Sequence, residues 1–205
     1  MSLLTAFSVE EWVPKTKIGR MVKEGKITSL DELFRKNYPI TEPELVKVLL
    51  PDAEEKVLDV YIVQKQTDAG EKSRLVVVLG VGNKNGYLGI GAGKGREFPI
   101  AATIARKNAY KNIFPIKRGC GNAECMCGEP HSIPFKVTGK CGSVRVTLIP
   151  APRGTGLIVP EHIRPIFELA GIHDIWLVSR GHTRTTRNFI MAVFNALKNI
   201  RKYEV

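Results

Sequence analysis

Four glycines at alternate positions restrict the fold of this chain more than any other feature of its sequence. They are Gly89, Gly91, Gly93 and Gly95, and a strand through them has one face of bare backbone because strand side chains alternate between faces. A helix is predicted directly after them, over residues 98–114. One interpretation is that the glycines let this helix pack closely on the sheet, another is that an RNA backbone approaches this glycine-rich, cationic surface closely, and both can be true. The sequence leaves both interpretations open.

Two other strand patterns precede the glycine strand, at residues 57–64 and 74–81, and both are rich in β-branched side chains. The polar stretch 67–73 between them, with Gly70 at its centre, predicts a hairpin with a mobile tip. The Asn-Gly pair at 85–86 predicts a tight second turn. Together with the helix, these elements predict a three-stranded antiparallel meander backed by one helix.

The first 56 residues predict short helices punctuated by proline rather than a domain with its own large core. The predicted N-cap positions are Thr16, Ser29 and Thr41. Glu32 and Glu44 each follow a cap residue by three positions, which is the spacing of a capping box. This region is therefore predicted to be a helical arm.

The last third of the chain predicts a second α+β unit, with strands at 132–138, 143–149 and 174–179 and a long final helix. The fold class is therefore α+β. The predicted parts are an N-terminal helical arm at 1–56, a basic unit of sheet and helix at 57–118, a Cys/His-containing linker at 119–131 and a C-terminal α+β unit at 132–205.

Positive charge is unevenly distributed along the chain, which carries a formal net charge of +11. Residues 1–56 hold 9 basic and 10 acidic side chains, residues 57–119 hold 11 and 4, and residues 120–205 hold 11 and 6. The excess of basic residues therefore lies in the two predicted sheet units, which indicates an acidic macromolecular partner, above all a nucleic acid. Aromatic residues make up only 7%, too few for a protein that acts mainly by stacking on unpaired bases.

The glycine-rich segments do not match the motifs of nucleotide-binding proteins at specific positions. Leu88 stands where a phosphate-binding loop needs its first glycine, and Gly95 stands where the Ser or Thr that holds magnesium belongs. The spacing of a dinucleotide-binding loop also fails, since Gly80 and Gly82 are followed by Asn85. Carboxylates are sparse around the histidines of the second unit, so few residues are available there for general acid–base catalysis by paired carboxylates. The chain is predicted not to be an enzyme.

No apolar run reaches the ~18–20 residues that a membrane-spanning helix needs. The N-terminus also lacks the basic and then apolar pattern of a signal peptide. A cytoplasmic location is therefore expected, and in that compartment clustered cysteines are reduced or bind metal rather than forming disulfides.

Three of the four cysteines and one histidine fall within twelve residues: Cys120, Cys125, Cys127 and His131. Three thiolates and one imidazole form a chemically sensible tetrahedral zinc set, although the spacing is not that of paired Cys-x-x-Cys knuckles. Reduced thiols without metal, or a redox role, remain open alternatives. Cys141, ten residues further on, could replace one ligand.

Two long segments identify a family. The run VVVLGVGNKNGYLGIG at 76–91, with the helix behind it, resembles the N-terminal signature of the small-subunit ribosomal protein five family. The segments PAPRGTG at 150–156 and ELAGI at 168–172 resemble its second-domain signature. The N-terminal arm and the Pro-His pair at 130–131 resemble the archaeal and eukaryotic branch of the family, and the cysteine cluster resembles its archaeal-type members.

The resemblance implies a first domain of the double-stranded-RNA-binding type and a second α+β sandwich domain of a type shared with some small-molecule kinases. It also implies a structural role in the small (30S) ribosomal subunit, with 16S-type ribosomal RNA and ribosomal proteins four and eight as partners and a part in subunit assembly and translational accuracy. On this basis the hairpin tip at 64–74 is the expected RNA-contacting loop.

Ten cations are expected to contact RNA phosphates in a salt-dependent manner. They are Lys65, Lys72, Arg74, Lys84, Lys94, Arg96, Arg106, Lys107, Lys111 and Arg153. Two alternative functions remain open. The first is a zinc-dependent RNA-binding regulator outside the ribosome, and the second is a kinase-like phosphate-handling enzyme that uses the glycine-rich segment 153–156.

Overall fold

The computed structural model describes residues 12–125 and 127–202. The chain divides between Asp52 and Ala53 into two compact units. We call the described residues 12–52 the helical unit and the described residues from 53 onward the two-sheet unit. The first eleven residues of the predicted arm lie outside the described residues.

Short capped helices make up the helical unit. They are α1 (Lys17–Lys23), α2 (Leu30–Arg35) and α3 (Pro43–Leu49). The hydroxyl of Thr16 accepts a hydrogen bond from the N–H of Gly19 at 3.1 Å, and that of Ser29 accepts from the N–H of Glu32 at 3.4 Å. Both predicted N-caps are confirmed, because each hydroxyl satisfies one of the donors that a helix start leaves free.

The third predicted cap is wrong by one residue. Helix α3 has Glu42, not Thr41, as its N-cap residue, and Pro43 follows at the first helical position. The carboxylate of Glu42 does not cap its own helix but accepts hydrogen bonds from the backbone N–H groups of Lys15 and Thr16. A contact with a distant segment thus replaces the local one that the spacing predicted.

The first sheet of the two-sheet unit is antiparallel, in the order β1-β2-β3-β4. Its strands are β1 (Glu54–Thr67), β2 (Gly70–Gly82), β3 (Tyr87–Gly95) and β4 (Phe114–Pro115). The predicted meander therefore gains a short fourth strand. The predicted mobile tip is instead part of the ladder: Thr67 pairs with Gly70, and only Asp68 and Ala69 lie between the strands.

The second turn of the meander differs in detail from the prediction. Positive φ angles occur at Lys84 and Gly86 rather than at Asn85. The side-chain oxygen of Asn83 accepts hydrogen bonds from the N–H groups of Asn85 and Tyr87 at 2.9 and 3.1 Å. This side-chain turn, which asparagine favours, fixes the backbone before the Asn-Gly pair is reached.

Helix α4 (Phe98–Lys111) lies directly on the glycine strand. A Cβ added at Gly91 would lie 2.2 Å from the backbone nitrogen of Ala109, and one added at Gly93 would lie 2.2 Å from the carbonyl oxygen of Ala101. Alanines on the helix and glycines on the strand thus allow the two backbones to touch. The bare face is covered by α4, so the interpretation that it admits an RNA backbone is wrong.

A second sheet follows, in the order β5-β6-β8-β7, with only β7 parallel to its neighbour. Its strands are β5 (Val137–Cys141), β6 (Val144–Pro150), β7 (Leu157–Ile158) and β8 (Ile175–Arg180). Two helices accompany it: α5 (Arg164–Ala170), which a 3-10 turn at Glu161–Ile163 precedes, and α6 (Thr186–Lys202). Helix α6 covers one face, where a Cβ at Gly139 would meet the carbonyl oxygen of Ala192 at 2.2 Å.

One hydrophobic core joins both sheets of this unit. Val78 and Leu88 enter it from the first sheet, and Phe167 enters it from α5. The rings of Phe114 and Phe194 meet edge to face, with centroids 5.0 Å apart. The α+β fold class is confirmed, with two sheet-and-helix layers that bury their apolar faces in a common interior.

Candidate RNA interface and metal centre

The structure separates the ten predicted RNA-contacting cations into groups. Lys65, Lys72, Arg74 and Lys94 form the first group, which we call the hairpin cation patch. Lys65 pairs with Lys72 across β1 and β2, and strand alternation places all four on the face of the sheet opposite α4. All four side chains are exposed, so their charges are available to a partner.

Glu71, the acidic residue of β2, does not share the face of this patch. Glu71 pairs with Gln66, one position from the pair of Lys65 and Lys72, and therefore lies on the α4 face. Asp68 lies in the two-residue turn. The hairpin thus keeps its cations on one surface, although the linear sequence mixes the two signs of charge.

A second group lies on the outer side of α4. Lys107 and Lys111 are exposed and one helical turn apart, so their side chains project from the same side. Arg96 is exposed just after β3 ends at Gly95. The sheet separates α4 from the hairpin cation patch, so the first sheet offers cations on both of its sides.

Two predicted contact residues are paired with glutamates at the start of β1. The Nε of Arg106 donates to the Oε2 of Glu55 at 2.6 Å, and the hydroxyl of Tyr110 donates to the other oxygen at 3.1 Å. Burial, followed by the charge of Glu55, raises the pKa of Tyr110. The ammonium of Lys84 binds the carboxylate of Glu54. These partners make both cations weaker candidates for phosphate contacts.

Lys84 also holds the two sheets together through its backbone. Its N–H donates to the carbonyl of Leu169 at 2.9 Å, and the N–H of Gly86 donates to that of Ala170 at 3.1 Å. The turn between β2 and β3 is therefore hydrogen-bonded to the C-terminal end of α5. This role is structural and independent of RNA.

Arg153 is the tenth predicted contact. Its guanidinium binds Glu129 at 2.9 Å on the surface, and its backbone N–H donates to the Sγ of Cys125 at 3.3 Å. The residue therefore belongs to the surroundings of the cysteine cluster. Its glycine-rich segment contains no pair of carboxylates that could hold magnesium.

Cations on the second sheet were missed by sequence reasoning. Lys140, Arg145 and Arg180 lie on neighbouring strands of the same face, and none of them was among the ten predicted contacts. Strand register brings these three side by side, and register cannot be read from one sequence without knowing which strands pair. The signal available in the sequence was the count of 11 basic residues against 6 acidic ones in residues 120–205.

The predicted metal ligands do meet in space. Each of Cys120, Cys125, Cys127 and His131 offers one ligand atom, and these four atoms lie within 4.8 Å of one another. The Sγ of Cys125 lies 3.3 Å from that of Cys127 and 3.6 Å from the Nε2 of His131. Tetrahedral zinc with a Zn–S distance of about 2.3 Å holds its sulfurs about 3.8 Å apart, so the donor set fits such an ion in number, type and spacing.

Cys141 does not belong to this cluster. It ends β5, where it pairs with Val144 at the hairpin and packs against the hydrophobic core. The alternative in which it replaces one of the four ligands is therefore wrong for this structure.

A buried carboxylate orients the histidine of the cluster. The Oδ2 of Asp174 lies 2.8 Å from the Nδ1 of His131, and its Oδ1 accepts a hydrogen bond from the N–H of Gly156 at 2.8 Å. Both His131 and Asp174 are buried. This bond keeps Nε2 turned toward the thiols, as carboxylate–histidine pairs do around bound metals.

Thiol acidity supports metal binding at the cluster. The hydrogen bond from His131 holds the pKa of Cys120 at about 6, and the backbone N–H of Arg153 lowers the pKa of Cys125. Thiolates are the metal-binding form of cysteine, so both lowered pKa values favour the form that binds a cation.

Opposing effects act on the pKa values of the remaining two candidate ligands, Cys127 and His131. The N–H of Glu129 lowers the pKa of Cys127, but burial and the neighbouring thiols outweigh it, and the pKa is raised. Burial lowers the pKa of His131, yet its hydrogen bonds to two thiols and to Asp174 outweigh burial, and this pKa is raised as well. A cation among the four groups would relieve this crowding of thiols by compensating their charge.

None of the helices in the described part of the chain is long and apolar enough to cross a membrane.

Comparison with known proteins shows that two domains of one family match the two-sheet unit. Residues 53–117 match the description of the ribosomal protein S5 N-terminal domain, and residues 139–205 match that of the ribosomal protein S5 C-terminal domain.

Archaeal proteins named small ribosomal subunit protein uS5 are similar over nearly the whole chain. The protein of Sulfurisphaera tokodaii is 56% identical over 194 residues, which cover 95% of this chain and 91% of the relative. That of Ignicoccus hospitalis is 56% identical over 196 residues, 96% of this chain and 93% of the relative. That of Staphylothermus marinus is 53% identical over 203 residues, 99% of this chain and 95% of the relative.

Proposed function

The chain belongs to the ribosomal protein S5 family, and from this premise we infer what its surfaces do in the small ribosomal subunit. The protein is a structural component of that subunit and works in translation, not as an enzyme. The observation that carries this conclusion is the agreement of both halves of the two-sheet unit with the two domains of one family.

Its first sheet binds 16S-type ribosomal RNA through phosphate contacts. The hairpin cation patch and the pair of Lys107 and Lys111 support this function, because their charges are exposed and have no carboxylate partner among the described residues. Folded RNA is recognised largely by shape, sugar hydroxyls and phosphates, so such a surface needs no base-specific pocket.

Ribosomal proteins four and eight are its proposed protein neighbours, and its proposed effect is on subunit assembly and translational accuracy. The family resemblance supports both. The two sheet-and-helix layers with their common core would act as a rigid brace between RNA helices and these neighbours. In sequence order, the proposed parts are the arm at 1–56, the RNA-binding domain at 57–118, the linker at 119–131 and the C-terminal domain at 132–205.

The cysteine cluster holds one structural zinc ion in this proposal. Three thiols and one imidazole converge within 4.8 Å, and a closed set of four protein ligands is typical of structural rather than catalytic zinc. The ion would fasten the linker to the start of β8 through His131 and Asp174. It would supply no chemistry beyond this cross-link.

Sedimentation tests the ribosomal role. Lysate is fractionated on a sucrose gradient at moderate and high salt, and fractions are probed for this protein. We expect it to sediment with the small subunit, and Lys65→Gln/Lys72→Gln/Arg74→Gln to leave the subunit at lower salt than wild type does. Protein that stays at the top of the gradient in both salts would instead indicate an RNA-binding regulator outside the ribosome.

Metal analysis tests the zinc site. Protein purified without chelators should contain one zinc per chain by elemental mass spectrometry, and cobalt in its place should give the visible bands of a tetrahedral thiolate site. Cys127→Ser should lose the metal, whereas Cys141→Ser should retain it because Cys141 lies outside the cluster. A metal-free wild-type protein whose melting temperature does not respond to added zinc would refute the site and leave reduced thiols in its place.

A further inference from the structure

Three cations stand side by side on the second sheet. Lys140 on β5 pairs with Arg145 on β6, which in turn pairs with Arg180 on β8. Neighbouring strands lie about 4.8 Å apart, so this second-sheet cation row spans about 10 Å. All three side chains are exposed.

The face that carries the row is open, and none of the described residues that line it is acidic. Its outward positions enclose a concavity of about 660 Å³. The residues that line this concavity include four cations and two threonines: Lys136, Lys140, Arg145, Arg180, Thr138 and Thr147. In the described part of the chain, none of its four cations forms an ion pair. Helix α6 covers only the opposite face, against which Val144 and Val146 are buried.

Such a row is unfavourable in the free protein. Like charges directly opposite one another on neighbouring strands repel, and here the repulsion acts twice, between Lys140 and Arg145 and between Arg145 and Arg180. No acidic side chain among the described residues that line this face offsets the repulsion. An anionic partner with closely spaced charges would turn the repulsion into attraction, which a single acidic side chain could not do for three cations.

The chemistry of this face favours RNA over a protein partner. The central part of a protein interface is depleted of charge apart from arginine, whereas this face carries three adjacent cations, Lys140, Arg145 and Arg180, with no acidic residue among the described residues that line it. The hydroxyls of Thr138 and Thr147, next along the same face, suit phosphate oxygens as donors. A phosphate backbone supplies repeated negative charges on the scale of the row.

We propose that the open face of the second sheet is a second phosphate-binding surface for ribosomal RNA, centred on Lys140, Arg145 and Arg180. The proposal rests on the RNA-binding function proposed above but concerns different residues, on a different sheet. The protein would then hold RNA with both of its sheets, and the zinc cluster and common core would set the spacing between the two surfaces.

Binding to a transcript of the small-subunit ribosomal RNA, measured over a series of KCl concentrations, tests the surface. Lys140→Gln/Arg145→Gln/Arg180→Gln is compared with Arg184→Gln/Arg187→Gln/Lys198→Gln. The second variant removes three exposed cations from the beginning and outer side of α6 in the same unit, so both variants lose the same charge.

We expect the sheet variant to lose about tenfold or more in affinity and about two to three units of salt slope, and the α6 variant to lose much less. The melting temperature of the free sheet variant should not fall, since a repulsive row has been removed. Equal affinities for the two variants would overturn this proposal alone. A wild-type protein that fails to bind the transcript at any salt would overturn the RNA-binding proposal as well.

Photo-crosslinking in assembled small subunits identifies the occupant directly. Thr147→p-benzoylphenylalanine places the probe in the middle of the face, and Lys198→p-benzoylphenylalanine places it on α6 as the control. We expect the Thr147 probe to give an adduct that ribonuclease removes, at a higher yield than the control gives. An adduct that only protease removes would show a protein on this face and overturn the proposal, as would no adduct at all.

Discussion

The Nδ1 of His131 and the Oδ2 of Asp174 lie 2.8 Å apart in the interior, although 43 positions separate the two residues in sequence. The same carboxylate accepts from the N–H of Gly156, and the hydroxyl of Ser132 donates to the backbone carbonyl of Asp174 at 2.5 Å. Asp174 therefore connects the cysteine cluster, the glycine-rich loop after β6 and the start of β8. One buried residue thus links the candidate metal site to the second sheet.

We expect Asp174→Asn to weaken zinc binding by about 10–100-fold, the usual effect of removing the carboxylate behind a histidine ligand. The amide is neutral and cannot stabilise the histidine as the carboxylate does. Competition with a chromophoric chelator measures the affinity. Glu129→Gln is the control, since the Glu129 carboxylate is exposed and binds Arg153 rather than His131. Equal affinity of Asp174→Asn and wild type would show that the carboxylate has no part in the site.

The glycine strand gives a prediction about stability. Gly93→Ala would place a methyl group 2.2 Å from the carbonyl oxygen of Ala101 and 2.3 Å from the backbone nitrogen of Ala105. Helix α4 would have to move away from the sheet, at a cost of about 3 kcal/mol of unfolding free energy. For a unit of this size, the melting temperature should fall by roughly 6–12 °C.

Gly119→Ala is the matched control for this substitution. Its added methyl group would lie 3.6 Å from the nearest atom, on Pro134, and its φ angle is not in the left-handed region. The unfolding free energy should therefore change by no more than about 0.5 kcal/mol, and the melting temperature should change little. A similar loss in both variants would mean that α4 does not pack on bare backbone as described.

Arg106 and its neighbour Lys107 should behave differently in RNA binding. Arg106→Gln breaks the contact with Glu55 and should lower the unfolding free energy by up to about 1 kcal/mol, with little change in RNA affinity. Lys107→Gln should leave stability unchanged but reduce the salt slope by about 1, because its exposed charge is free to neutralise a phosphate. Thermal melts and salt titrations of both variants measure the contrast. A larger loss of RNA affinity for Arg106→Gln would show that RNA displaces Glu55.

Local signals in the sequence predicted much of this molecule. The spacing of the four glycines predicted a bare strand face, for which packing of α4 was one of two interpretations, the Ser29 and Thr16 caps were correct, and three cysteines near His131 predicted a candidate ligand set that meets in space. Each of these depends on residues close together along the chain.

Features that depend on distant partners could not be predicted in this way. Asp174 reaches His131 from another element, and Glu55 removes Arg106 from the free cations of α4. The second-sheet cation row exists only because β6 pairs with both β5 and β8, an arrangement that one sequence does not state. Even the hairpin tip changed, because pairing with the opposite strand outweighed its polar composition.

Glu42 offers the sharpest test of such a distant contact in the helical unit. Its Oε1 accepts hydrogen bonds from the N–H groups of Lys15 and Thr16, at 3.0 and 2.6 Å, and so fixes the backbone at the start of α1. Bonds to a charged acceptor contribute about 1.5–3 kcal/mol each, so Glu42→Ala should destabilise this start by at least about 2 kcal/mol. Amide hydrogen exchange of Lys15 and Thr16, followed by NMR, should accelerate accordingly. Thr41→Ala should leave both rates unchanged, because Thr41 is not the N-cap of α3. Unchanged exchange of Lys15 and Thr16 in Glu42→Ala would show that this carboxylate does not fix the start of α1.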